Sequence, residues 1–206
     1  MPRTPALLLV IVLVLAAAGV GLLASAKSPA PEPSSPPPAG GERPTALAPS
    51  TAAIDAALRE LDLVKPSRSR PAEDFTLPAL GGGTFRLSEQ RGKIVLLNFW
   101  ATWCPPCLEE MPAMERLWRK HRDAGFVLVA VSVDSDPQKV MPFATEHKLT
   151  FPIAFDSKMV VAEKYGVRAL PSSFILGRNG DLTALALGPR HWDSKASHRL
   201  IEAMAR

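Results

Sequence analysis

Two cysteines stand in a chain of 206 residues, and both fall in one motif, Cys104-Pro105-Pro106-Cys107. A bridge across so short a ring removes little unfolded-chain entropy, so the pair is a poor staple and a good redox couple. The thiolate is the reactive form of cysteine, and a helix N-terminus favours negative charge. Two prolines after Cys104 suit a first helical turn, where backbone N–H groups have no helical partner. Cys104 is therefore expected as an exposed nucleophile and Cys107, one turn further in, as the buried resolving thiol. Trp103 and Trp100 are expected to form an apolar collar around them. Glu110 follows Cys107 by three residues, on the same helical face, where a buried carboxylate could take and return the proton of the inner thiol. A zinc site would need four ligands, and His121, His147, His191 and His198 offer no second cysteine pair and no tight spacing. No metal and no separate cofactor are expected; the redox group is the Cys104–Cys107 disulfide itself.

The motif must be held where a strand gives way to a helix. Residues 94–100 (Ile-Val-Leu-Leu-Asn-Phe-Trp) are an almost continuous apolar run, as in a central strand covered on both faces. A helix is expected over 105–124, with Met111, Met114, Leu117 and Trp118 inward, and a second central strand over 126–133. Pro112 must break a hydrogen bond or kink that helix. Short strands at 75–77 and 84–87 flank the turn Gly81-Gly82-Gly83. Helices are expected at 137–147, 159–165 and 194–205, and an extended piece at 152–156. Strands 173–176 and 182–187 are joined by Asn179-Gly180, a strong hairpin signal. Alternating strands and helices ending in a hairpin and a helix describe an α/β fold with a mixed sheet.

The N-terminal third has a different composition. Residues 6–26 carry no charge and would span about 31 Å as a helix, enough for a bilayer core. Residues 1–26 are accordingly expected as a signal-anchor, with Ala24-Ser25-Ala26 as an alternative cleavage site. Arg3 and the amino terminus place the N-terminus inside and the rest outside. Of the 21 prolines, ten lie between positions 29 and 71, so residues 27–71 read as an extended linker. Within it, residues 51–64 place Ile54, Leu58 and Leu61 at helical spacing, either as a partly formed helix or as a segment that docks. Residues 72–206 form the domain. The net charge of +4 is scattered, with no basic stripe interleaved with aromatics, which argues against a nucleic-acid partner.

The run Asn98-Phe99-Trp100-Ala101-Thr102-Trp103-Cys104-Pro105-Pro106-Cys107, with Glu109-Glu110-Met111-Pro112 after it, resembles the extracytoplasmic thioredoxin-like family of TlpA and ResA. The resemblance continues through Val131-Ser132-Val133-Asp134 and Tyr165-Gly166-Val167 to Pro171-Ser172-Ser173-Phe174. It implies a thioredoxin-like fold with a central αβ insertion near 134–155, a cis peptide before Pro171, Cys104 as nucleophile and Glu110 as the acid that tunes the cysteines. Substrate is expected to meet Trp103, Pro105, Leu170 and Pro171. The resemblance also implies a chain anchored in the bacterial cytoplasmic membrane with its domain in the periplasm or on the outer surface. Its partners would be protein disulfides, reduced during cytochrome c maturation or copper-site assembly, and a membrane electron donor. Three places depart from the wider thioredoxin pattern: Asn98 replaces a buried Asp, Leu170 replaces the Ile, Thr or Val often found before the cis proline, and Gly177-Arg178 replaces the acidic residue commonly ending the following strand. Gly188-Pro189-Arg190-His191-Trp192 resembles a late glycine turn, with Trp192 expected to pack. The alternatives are a disulfide-forming oxidase, a copper chaperone holding the metal on two thiolates, and a thiol peroxidase. The peroxidase motif would need Pro and Thr where the chain has Leu97 and Ala101.

Overall fold

The computed structural model describes residues 49–206. The expected anchor at 1–26 and the linker as far as 48 lie outside these residues. Among the described residues no helix is long and apolar enough to cross a membrane.

Two seven-residue strands, β3 (Ile94–Trp100) and β4 (Phe126–Ser132), run parallel at the centre, and every residue in both is buried. Their unbroken apolar character follows from cover on both faces. A five-stranded mixed sheet has the order β5-β4-β3-β6-β7, with β5 (Ile153–Phe155) parallel to β4. Strands β6 (Ser172–Leu176) and β7 (Leu182–Leu187) form an antiparallel hairpin, and β6 lies antiparallel to β3. The register sets Asn98 of β3 opposite Ser173 of β6. The hairpin β1 (Thr76–Pro78) and β2 (Thr84–Arg86) forms a separate two-stranded sheet. This is the expected α/β thioredoxin-like arrangement.

Helix α2 (Pro105–His121) starts from the end of β3 and turns Cys107, Met111, Met114 and Leu117 into the core. Pro112 lies within it and the helix continues across, with the bond to the Leu108 carbonyl forgone. Its expected final turn is a 3-10 segment, Arg122–Ala124, closed by Gly125 at φ 80°. The insertion holds a 3-10 turn (Pro137–Lys139), α3 (Val140–Glu146) and β5, and α4 (Val160–Lys164) follows. Helix α5 (Lys195–Ala205) closes the chain, its Ser194 hydroxyl accepting from the Ser197 N–H.

Chain before residue 72 is also built into this unit. Helix α1 (Pro49–Glu60) packs on α5, and Ala57, Leu58, Leu61 and Leu63 are buried. From there the chain pairs with β7 through Val64 and Leu185, and with the residue just before that strand through Pro71 and Asp181. Ala79 bridges to Ala154 on β5, so both edges of the sheet are partly covered by N-terminal chain. Unpaired edge groups would otherwise invite association.

Candidate active site

Cys104 is the N-cap residue of α2, and Pro105 and Pro106 occupy its first turn. A disulfide joins Cys104 to Cys107. Cys104 is 5% exposed and Cys107 0%, so the outer cysteine is less open than expected. It is reached from a groove of about 470 Å³ whose walls include Trp103, Pro105, Val133, Met159 and Leu170. Arg168 is the one charged residue in that lining. The peptide bond between Leu170 and Pro171 is cis, and Leu170 stands across the groove from the motif. Pro171 itself is buried. The two tryptophans separate: Trp103 is 65% exposed at the groove, whereas Trp100 is fully buried against Phe143, with ring centroids 5.3 Å apart. Trp100 therefore belongs to the core and not to a collar, because β3 has cover on both faces.

Glu110 is 4% exposed and is held by three N–H donors from distant parts of the chain. Asn98 Nδ2 donates to Oε1 at 2.8 Å, Trp192 Nε1 to Oε2 at 3.0 Å, and the Arg190 backbone N–H to Oε2 at 3.2 Å. Burial dominates over these donors and pushes the Glu110 carboxyl up to about 7. A carboxyl at that value exchanges protons readily at neutral pH. Glu109 is exposed, as a solvated helix residue would be. Asn98 Nδ2 also donates to Ser173 Oγ at 2.9 Å, while its Oδ1 has no partner.

Trp192 does more than the expected packing: it is buried, and its indole N–H reaches the acid as well. Spacing along one helix can reveal that Glu110 faces Cys107, but not that a loop 80 residues later supplies its donors. Asp134 is a second residue that the pattern does not mark as part of the site. It is 1% exposed and accepts from Thr102 N–H at 3.0 Å, Thr102 Oγ1 at 2.6 Å and Ser132 Oγ at 2.8 Å. These bonds clamp the turn that presents Trp103 and Cys104. Its signals in the sequence are a carboxylate directly after an apolar strand and its place at the end of the resembling run Val131-Ser132-Val133-Asp134, neither of which assigns it a role. Replacing Asp134 with Ala strands the buried Ser132 hydroxyl and the half-buried Thr102 donors and costs about 3 kcal/mol. The expected reading is a lower urea midpoint at an unchanged slope.

Among the described residues no three metal-ligating side chains converge. His121 and His198 do meet, Nε2 to Nδ1 at 2.9 Å, but the next group along is Asp193 on the far side of His198, so the three form a chain and not a cage.

The model of the AhpC/TSA family matches residues 69–185, more than half of the chain. The thiol-disulfide oxidoreductase ResA of Geobacillus kaustophilus is 42% identical over 117 residues, 57% of this chain and 67% of that protein. Thioredoxin-like protein YneN of Bacillus subtilis is 42% identical over 120 residues, 57% of this chain and 69% of YneN. Among solved structures, a candidate thiol:disulfide interchange protein DsbE from Chlorobium tepidum superposes with a TM-score of 0.63 at 35% identity. That match covers 70% of this chain and 99% of the other. The span matched by the family model takes in the cysteine pair, Glu110, Asp134 and the cis proline. The chain thus belongs to the AhpC/TSA family, as a thiol–disulfide oxidoreductase similar to ResA.

Proposed function

We propose that the chain is a dithiol reductase of protein disulfides that works outside the cytoplasm, tethered by residues 1–26. The observation that carries the direction is the surroundings of the two sulfurs. A strong oxidant needs its reduced form stabilised, and that means a stabilised Cys104 thiolate. Here the prolines remove two N–H donors from the first turn of α2, and the Cys107 N–H is taken by the Cys104 carbonyl at 3.0 Å. The groove adds one cation, Arg168, on an exposed position. On the inner side stands a carboxyl, which disfavours a nearby thiolate whenever it is ionised. Such a setting favours the disulfide of the enzyme and makes the dithiol a good donor of electrons.

In the forward reaction the Cys104 thiolate attacks one sulfur of a substrate disulfide. A bond forms between Cys104 and that sulfur, and the other substrate sulfur leaves as a thiolate and takes a proton. The Cys107 thiol then passes its proton to the Glu110 carboxylate and attacks Cys104. The Cys104–Cys107 disulfide forms and the second substrate sulfur departs. Two electrons have moved to the substrate, and an external dithiol on the membrane side restores the enzyme. The apolar groove with Trp103, Pro105 and Leu170 fits an extended cysteine-bearing peptide. Apocytochrome haem-site cysteines and copper-site cysteines are the substrate classes that the family resemblance suggests.

The test is the potential of the Cys104–Cys107 couple, measured by equilibration with glutathione or dithiothreitol buffers. We expect a value well below about −200 mV, near that of thioredoxin, and a value near about −120 mV would make the chain an oxidase.

A further inference from the structure

The guanidinium of Arg190 makes more bonds than any other side chain near the site, and none of them is to the reacting groups. Its Nε donates to the Leu61 carbonyl at 2.8 Å and its Nη2 to the Asp62 carbonyl at 2.8 Å. These oxygens lie just past the C-terminal end of α1, where a cation is favoured by the helix dipole. Asp62 sits there at φ 51°, and Leu63 N–H closes back on the Leu58 carbonyl at 2.9 Å, so the helix ends in a left-handed cap. The remaining nitrogen, Nη1, donates to the carbonyls of Leu187, Gly188 and Pro189 within its own loop, at 2.9–3.3 Å. The backbone N–H of the same residue donates to Glu110, and Trp192, two residues on, supplies another of the donors. One side chain thus ties three things together: the end of α1, the curvature of loop 188–192, and the lid that this loop forms over the buried acid.

We propose that Arg190 is a positioning residue, its guanidinium fastening loop 188–192 to α1 so that the chain leading into the domain controls how far water reaches Glu110. The inference rests on the reading of Glu110 as proton acceptor for Cys107, and extends it to a part of the chain with no atom in the site. An arginine suits this place because a planar fork can serve several carbonyls at once, which a lysine ammonium on a flexible stem cannot. Helix α1 contributes through its own packing: Ala57 and Leu58 are buried, and Arg199 of α5 pairs with Glu60. Asn98 on β3, Trp192 and the Arg190 backbone are the groups that meet the carboxyl, and Arg190 is the charged group acting on it. Loosening the lid removes the burial that dominates the Glu110 proton affinity, and entering water replaces the lost N–H donor.

The experiment uses the full chain with carbon-labelled glutamate, following the Glu110 carboxyl by NMR as pH is varied, with the disulfide formed. Two variants act from opposite sides of the joint. Arg190→Ala removes the fork, and Leu58→Asp puts a carboxylate on the buried face of α1 and leaves the residues of the loop unchanged. In Leu58→Asp the Glu110 midpoint is expected to drop from about 7 toward the ordinary value of 4.5, and the protonated fraction at pH 6 falls severalfold; in Arg190→Ala the drop is smaller, because the lost cation opposes it. Arg190→Lys keeps the charge and most of the stem, and is expected to shift the midpoint the same way. It serves in place of the alanine variant if that one fails to fold, judged by circular dichroism. Removing the guanidinium also removes a charge that lowers the Glu110 midpoint, so the charge-keeping variants decide: a midpoint unmoved or raised in Arg190→Lys, or in Leu58→Asp, overturns the proposal. Failure of the functional reading looks different. In that case the wild-type rate profile shows no ionisation near 7, while the Glu110 midpoint still moves in the variants.

Discussion

A Cys107→Ser variant attacks a disulfide once and stops. Cys104 still lines the groove and can form the mixed disulfide, but no second thiol remains to displace the substrate. Incubated in reduced form with a disulfide-bonded test protein, the variant is expected to accumulate a covalent adduct of one chain each. Turnover falls to the uncatalysed background. The adduct is read by mass spectrometry before and after dithiothreitol, which should release it. Cys104→Ser gives the contrasting result, no adduct and no turnover, because Cys107 is 0% exposed. Adduct formation by Cys104→Ser would reverse the roles assigned to the two cysteines.

Glu110→Gln is expected to slow the resolving step by about 10²–10³, within the range usual for loss of a positioned proton acceptor. The rate should also lose its dependence on pH around 7, where the wild-type carboxyl titrates. Stopped-flow release of the substrate thiol over pH 5.5–8.5 reads both effects. The new amide keeps the shape of the side chain, and its NH₂ can be met by Asn98 Oδ1, which lacks a partner, if the Asn98 amide turns over. Stability carries an independent signature. Because burial raises the Glu110 carboxyl from 4.5 to about 7, the folded state holds a proton over that interval that the unfolded state has already lost. Stability contributed by the neutral acid is therefore complete below pH 4.5 and is lost as pH rises through 7. The loss amounts to about 3 kcal/mol for a group so buried. Urea unfolding of the oxidised wild type should show this decline between about pH 4.5 and 7 and level off above it, and the Gln variant should not. An equal decline in both would assign it to other groups.

Much of the fold is legible in residue order. Residue pattern places β3 over 94–100 and β7 over 182–187, and both strands occur with those limits. An apolar run bounded by Gly92-Lys93 before and the cysteine motif after has nowhere else to go than a buried strand. The motif's place at the strand-to-helix junction is equally readable, because prolines at 105 and 106 tolerate only a first turn. Helix ends are less legible. The segment that reads as one helix over 137–147 is a 3-10 turn followed by α3. The division comes at Lys139, where the 3-10 turn capped by Asp136 gives way to α3. Pro142 does not cause that break; it falls in the first turn of α3, where a missing N–H is tolerated.

What the chain order determined by itself was the chemistry: two thiols one turn apart, with a carboxylate a further turn along the same face. Tertiary structure decided whether that carboxylate is an ordinary solvated acid or one raised to about 7. Its fate depended on Asn98 arriving from β3 and on Arg190 and Trp192 arriving from a loop beyond β7. Periodicity encodes which way a side chain points, and burial then follows; it does not encode which group stands opposite. The same limit applied to the two tryptophans, alike in sequence and opposite in exposure. It also applied to α1, whose apolar spacing was visible while its seat on α5 was not. Contacts between residues far apart in the chain are set by the packing of the whole sheet and its helices, and they decide the proton affinity on which the site depends.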